Sequence, residues 1–506
     1  MQTHFFIDLH CHPTIKAYAR SYQNGTPGIQ SGNIRNRSSI WHQDTPSFID
    51  KLKNYIAGLT NFIQSDATSL FNGKVCVACL SFYPQEKGFF INRSGQGIIS
   101  DTLTKLATEF GQQRIDHIQK MDSYWLDLQT EMNFLRQQEN KPMLINGQKI
   151  TYSIASSFAD IEHAIELNEI AEKCIIFVPT IEGAHVFDQQ MDCYEPWDKY
   201  PEGIPVSRLE KTIQRIYELR ESKNGLIRPA FITFAHHFWN GLCGHARSLG
   251  GLVKCFVDQE NGIVSHLNDS GKKAIAAMLG SHKDENGIET PPIYIDIKHM
   301  NRQSRLDYFA LLNTNDYAGK KIPVFVSHGG VTGLSAPNGV NQTPISQKLV
   351  FMEEGINFYD DELLQIEKTN GIFAIQLDER RIASKATLRK TRGNLGRRNI
   401  LFAWAGLVWN QVRHIAELLD MNNRYAWSTQ TLGTDFDGII DPINGYWTAA
   451  DMDDLDDFLL MHAFNYINGI KEPCPLQLSQ NRNIKAEEIV DKVMTGNALR
   501  FLSMIY

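Results

Sequence analysis

No run of this 506-residue chain approaches the roughly 18 consecutive apolar residues of a membrane-spanning helix. No membrane span is therefore expected. The first residues, Met1-Gln-Thr-His-Phe, show neither a basic region nor an apolar stretch of signal-peptide length, so the expected location is cytoplasmic. Positive charge is in short supply as well. Fifty Lys and Arg against 57 Asp and Glu leave a net charge of −7, which argues against a nucleic-acid partner bound through counterion release. Cysteine is sparse and scattered. The eight are Cys11, Cys76, Cys79, Cys174, Cys193, Cys243, Cys255 and Cys474, many in apolar runs, which reads as buried free thiols in a reducing compartment. Cys76 and Cys79 form a CxxC inside "VCVACL". Strand residues i and i+3 face opposite ways, so neither a disulfide nor a shared metal is expected there.

Short β-rich apolar runs are what the chain does have. They are Phe5–His10, Val75–Tyr83, Cys174–Thr180, Phe231–Ala235, Ile293–Ile297, Pro323–Ser327, Gly371–Leu377 and Thr429–Thr434. Between them lie stretches of helical periodicity, among them 101–138, 208–221 and 270–280. Alternating strand and helix implies parallel pairing through helical crossovers, and eight such units predict an α/β fold of the (β/α)8 TIM-barrel type. Runs that are apolar throughout fit strands buried on both faces. One elaborated domain over 1–506 is expected, with large insertions near 17–50, 139–160, 187–207 and 445–490. The first reads as a loop over one barrel mouth, the last as a helical elaboration around "AADMDDLDDFLLMHAF".

In such a barrel the side chains at strand C-termini converge on one mouth. The first run leads into His10 and His12, the third ends at Glu182, the fourth at His236, the fifth at His299, the sixth at His328 and the eighth at Asp435. The second ends in Tyr83-Pro84 and the seventh in Asp378. Neutral imidazole suits zinc and related divalent ions, and a carboxylate can bridge two of them. Positions 10 and 12, at i and i+2, share one face of a strand and can reach one ion together.

These segments, in this order, resemble the membrane dipeptidase (renal dipeptidase) family of binuclear zinc peptidases, within the amidohydrolase-type barrels. The resemblance runs through "FFIDLHCHPT", "TIEGAH", "FITFAHHFWNGLCGHA", "LNDSGKKAIAAML…IYIDIKHM", "VFVSHGG", "YDDELLQIEKTNGIFAIQL", "LGTDFDG" and "TGNALRFL". It implies two zinc ions (Zn2+) bridged by Glu182. His10 and His12 would hold the first, and His299 and His328 the second. It further implies Asp435 as the group that shuttles a proton from the bridging water, and His236 as the substrate-binding residue facing the scissile carbonyl. The implied activity is a zinc-dependent dipeptidase acting on dipeptides or dipeptide-like compounds. The expected partner is such a small molecule, with a homodimer left open.

Two departures from the family pattern stand out. The family has His-x-Asp on its first strand, where this chain has His12. The family also places an arginine after the sixth strand to grip a substrate carboxylate, and 329–346, "GGVTGLSAPNGVNQTPIS", contains none. The segment 379–398, with eight Lys and Arg, is a candidate replacement, against its reading as a solvated surface. Lys298 could in principle be a carbamylated bridge. Glu182 already fills that role, and adjacent strand residues point opposite ways. The alternatives are an amidohydrolase-type enzyme acting on another ester, lactone or phosphate, or a non-catalytic metal-binding protein. A retained Asp435 speaks against the last, because a structural site needs no proton acceptor.

Overall fold

Strand β1 (Phe6–Cys11) is buried along its whole length, and β2 (Val75–Phe82) pairs with it in parallel. The computed structural model of the chain describes residues 5–57, 60, 62–91, 110–169, 173–187, 195–249 and 257–506. Two more strands, β3 (Met143–Ile145) and β4 (Gln148–Ile154), form an antiparallel hairpin. β5 (Lys173–Glu182) is parallel to β2 along one edge. On its other edge, its first half pairs with β4 and its last residues pair with β6 (Phe231–Thr233), which pairs with β7 (Tyr294–Asp296). β8 (Val326–Gly329), β9 (Phe373–Ile375) and β10 (Gln430–Leu432) form a second parallel sheet. Single parallel bridges, Asp296 to Phe325 and Cys11 to Phe436, join the two sheets at both seams. The result is a mixed α/β fold around a curled parallel sheet.

All eight expected runs contain a strand, several of them shorter than the apolar run. The hairpin is the addition. It falls in the expected insertion 139–160, and its two-residue loop is Asn146-Gly147, with φ of 50° and 81°. Asn-Gly at positive φ is the favoured two-residue hairpin turn. Helices fill the connections, with local starts set by side-chain caps. Asn268 accepts from the Gly271 N–H ahead of Asp269–Leu279, and Asn301 from the Ser304 N–H ahead of Arg302–Leu312. The expected single helical stretch 101–138 is broken: Gln112–Lys120 and Tyr124–Arg136 are separate helices, because Ser123 caps the second. Its first part, 101–109, lies outside the described residues, as do 188–194 of the insertion 187–207, Cys193 and Cys255.

Residues 17–50 are not all loop, since Ile15–Ser21 is a buried helix and Phe48–Ala57 another. Within 445–490, the helix Met452–Ile467 packs on the long helix Arg397–Met421, with Phe402 stacked on His462 at 4.0 Å. The C-terminal "TGNALRFL" closes the end of the sheet opposite the strand C-termini. Thr495 Oγ1 donates to the Phe5 carbonyl at 2.6 Å, and Phe501 packs against Phe325. Five of the cysteines are buried and Cys474 is half-buried; these six carry no disulfide, and the Cys76 thiol donates to the Cys174 carbonyl. No helix among the described residues is long and apolar enough to cross a membrane.

Candidate metal centre

Glu182, the last residue of β5, sits at the centre of the strand C-termini. Its Oε2 lies 3.1 Å from His12 Nε2. Its Oε1 lies 3.4 Å from Nε2 of both His10 and His236, and 3.6 Å from Nε2 of both His299 and His328. Asp435 closes the ring, with Oδ1 3.5 Å from His12 Nε2 and 3.8 Å from His10 Nε2. All seven side chains predicted to meet are thus brought together, from strands β1, β5 and β8 and from the loops that follow β1, β6, β7 and β10. All seven are buried. Gly183 lets the chain turn sharply after Glu182: its φ is +96°, and a Cβ there would collide with the His185 ring.

The backbone around this centre is strained. His299, Asp435, Asp437 and Ile439 all have positive φ, between 59° and 69°. For a β-branched residue such as Ile439 this is an outlier, and such outliers gather at functional sites. The turn at His299 corrects one expectation. β7 ends at Asp296, so Lys298 and His299 are no longer on a strand, and both line the same cleft.

Four of the imidazoles are held from behind. His12 Nδ1 donates to the Ser81 carbonyl at 2.9 Å. The Ser327 hydroxyl lies 3.1 Å from His10 Nδ1 and 3.0 Å from His328 Nδ1, and donates to Asp296 Oδ2 at 2.6 Å. His236 Nδ1 donates to Glu86 Oε2 at 2.6 Å, and Glu86 also accepts from the Tyr83 hydroxyl and the Phe238 N–H. Burial opposes charge on His236, yet Glu182 and Glu86 raise its pKa to about 9. Burial, reinforced by neighbouring cations, drives His299 and His328 well below the usual imidazole range. Burial would raise Glu182, but the facing imidazoles, His236 first and then His10 and His12, hold it well below the carboxylate range.

The donor set fits divalent metal ions. The buried Nε2 atoms of His10 and His12 and Nδ1 of His299 have no hydrogen-bond partner. The ligand atoms of His10, Glu182, His328 and Asp435 all lie within 4.8 Å of one another, and so do those of His236, His237 and His299. His328 and His299 turn Nε2 atoms toward each other at 3.3 Å. Convergent imidazole nitrogens with two carboxylates are a nitrogen–oxygen set of the kind zinc takes.

Four participants were missed in the sequence. Glu86 lies three residues beyond Tyr83, where strand 2 was read as ending. His237 follows His236. Ser327 was read only as the end of the sixth run. Gln376, two residues before Asp378 at the end of the seventh run, contacts the site: its Nε2 donates to Asp435 Oδ2 at 2.6 Å. Asp378 instead takes a two-point ion pair from Arg380. The cleft beside the centre is lined by Glu182, His236, His299 and Asp435. Lys298, Arg380 and Arg381 also line it. Burial, and then the charge of Arg381, pull Lys298 down to about 7. Of the basic segment 379–398, then, only its first two arginines reach the cleft; Lys385, Arg389, Lys390 and Arg392 lie on or beside an exposed helix.

Neither a family model nor a curated protein sequence matches the chain. Solved structures do. The probable dipeptidase PvdM from Pseudomonas aeruginosa is 15% identical over 88% of this chain and 89% of its own, with a TM-score of 0.44. A metallopeptidase from Rhodobacter sphaeroides, liganded with a phosphinate mimic of the dipeptide L-Ala-D-Ala, is 11% identical over 99% of both chains, at 0.46. A structure named dipeptidase AC is 11% identical over 90% of this chain and 94% of its own, at 0.47.

Proposed function

We propose that the chain is a binuclear, zinc-dependent hydrolase of a small amide, a dipeptide or dipeptide-like compound. In this reading the two sheets are an eight-stranded (β/α)8 barrel closed by the two seam bridges. The observation that carries the proposal is Glu182, whose carboxylate lies within 3.6 Å of Nε2 of His10, His12, His299 and His328 at once. His10 and His12 would hold one ion and His299 and His328 the other, with Glu182 between. A metal pair supplies a water of lowered pKa and polarises the substrate carbonyl.

The protein's own groups do the rest. Asp435 faces the ligand imidazoles and accepts a proton from the attacking water, then returns it to the leaving amine. The Gln376 amide pins Oδ2 of Asp435, which leaves Oδ1 directed at His10 and His12. His236, kept protonated by Glu86, presents its Nε2–H to the oxygen of the scissile carbonyl as negative charge develops there. Burial of all these groups strengthens each electrostatic contact.

The test is zinc reconstitution followed by metal analysis and a screen of dipeptides, N-acyl amino acids and lactones. About two equivalents of zinc and amide hydrolysis are expected, and Asp435→Asn should slow turnover about 10²- to 10⁴-fold. Less than one equivalent bound, or unchanged turnover in Asp435→Asn, would overturn the reading.

A further inference from the structure

Three cations line the cleft beside the metal centre, and their existing partners separate them. Arg380 is committed to Asp378 by a two-point ion pair. Arg381 is anchored at the rim by Glu354 Oε2 at 2.9 Å and by the Ser248 carbonyl. Lys298 differs from both. It is 1% exposed, and its one acceptor among the described residues is a neutral group, Gln376 Oε1 at 3.4 Å. An ammonium has three donors to place. A buried cation that the protein leaves without a direct counter-ion is costly, and the cost is lifted when an anion arrives.

Its location says which anion. Gln376 accepts from Lys298 and donates to Asp435 Oδ2, so one side chain separates the ammonium from the proton carrier. Next in the chain stands His299, on the metal centre itself. An anionic group paired with Lys298 therefore sits within a few bonds of the scissile amide. We propose that Lys298, flanked by Arg381, is the subsite for the substrate's carboxylate. The substrate class is then an amide with a free carboxylate on the carbon attached to the leaving nitrogen, as in a dipeptide or an N-acyl α-amino acid. This rests on the hydrolase reading above.

The zinc-loaded protein is assayed on L-alanylglycine and on L-alanylglycinamide, which lacks the carboxylate. The wild type should prefer the acid. Lys298→Met should lower kcat/KM on the acid about 10- to 100-fold more than on the amide, mainly through KM. Arg381→Gln should move the acid in the same direction by less, and Lys298→Arg should keep the preference. Bound zinc measured in each variant separates a lost subsite from a lost fold; should Lys298→Met not fold, a reduced preference in Arg381→Gln carries the test. Equal rates on both compounds in the wild type, or an equal loss on both in Lys298→Met, would overturn the subsite and leave the hydrolase reading standing. Hydrolysis of neither compound, nor of any amide in the wider screen, would remove both.

Discussion

On the β1–β8 side of the cleft, Nδ1 of His10 and of His328 meets a serine hydroxyl, and Nδ1 of His12 meets a backbone carbonyl. On the β6 side, Nδ1 of His236 meets the Glu86 carboxylate at 2.6 Å. The front faces of all four rings look at the same Glu182. A neutral oxygen behind an imidazole fixes the tautomer and leaves a lone pair forward, which is what a metal ligand needs. A carboxylate behind it favours the protonated ring and so puts an N–H forward, which is what an oxyanion needs. One residue type is thus divided into ligand and donor by what stands at its back.

The largest effect should come from the group that both walls share. Glu182→Gln removes the one carboxylate that touches every imidazole, so bound zinc should fall below one equivalent and amide hydrolysis to background, as read by metal analysis and assay. Retention of two ions in this variant would mean that the imidazoles suffice, and the division into walls would lose its centre. Next comes the back of His236. Glu86→Gln keeps a hydrogen-bond acceptor but takes away its charge. A fall in kcat of about 10²-fold with zinc content unchanged is expected, in line with loss of one oxyanion donor. Loss of zinc instead would make His236 a ligand and erase the contrast.

The strand-end side chains were legible because an apolar run that stops at His, Glu or Asp is unusual, and parallel strands carry such ends to one place. Glu182 and His299 needed no knowledge of the loops to be found. Their supports did. Glu86 lies past Pro84 in a loop whose path no periodicity reveals, and Ser327 resembles any small residue inside a buried run. Lys298 was misplaced because alternation was assumed to continue to His299, whereas the strand stops at Asp296 and the chain turns through a left-handed conformation. The hairpin at 143–154 carries its signature in Asn146-Gly147, inside an otherwise polar stretch. The pattern of a chain reports which groups face inward. It does not report which distant neighbour stands behind them.

Ser327 gives the finest test of the contrast. Asp296 accepts from Thr233 Oγ1 at 2.7 Å, from the Lys298 and Ser327 N–H groups, and from the Ser327 hydroxyl. With the one hydroxyl hydrogen directed to Asp296, the serine oxygen has only lone pairs to offer, and it meets the two Nδ1–H groups of His10 and His328. One oxygen therefore sets the tautomer of two rings that are 318 positions apart in the chain, 10 against 328. Ser327→Ala leaves both rings free to turn without touching any ligand atom. Zinc affinity, measured by chelator competition, should weaken about 10- to 100-fold, the usual cost of removing a group that orients metal-binding histidines. Turnover at saturating zinc should stay close to wild type, because the carboxylate-backed wall is intact, and Ser327→Thr should restore affinity. Were Ser327→Ala to bind zinc normally and lose turnover, the rings of His10 and His328 would be acting on substrate, and the two walls would have exchanged their roles.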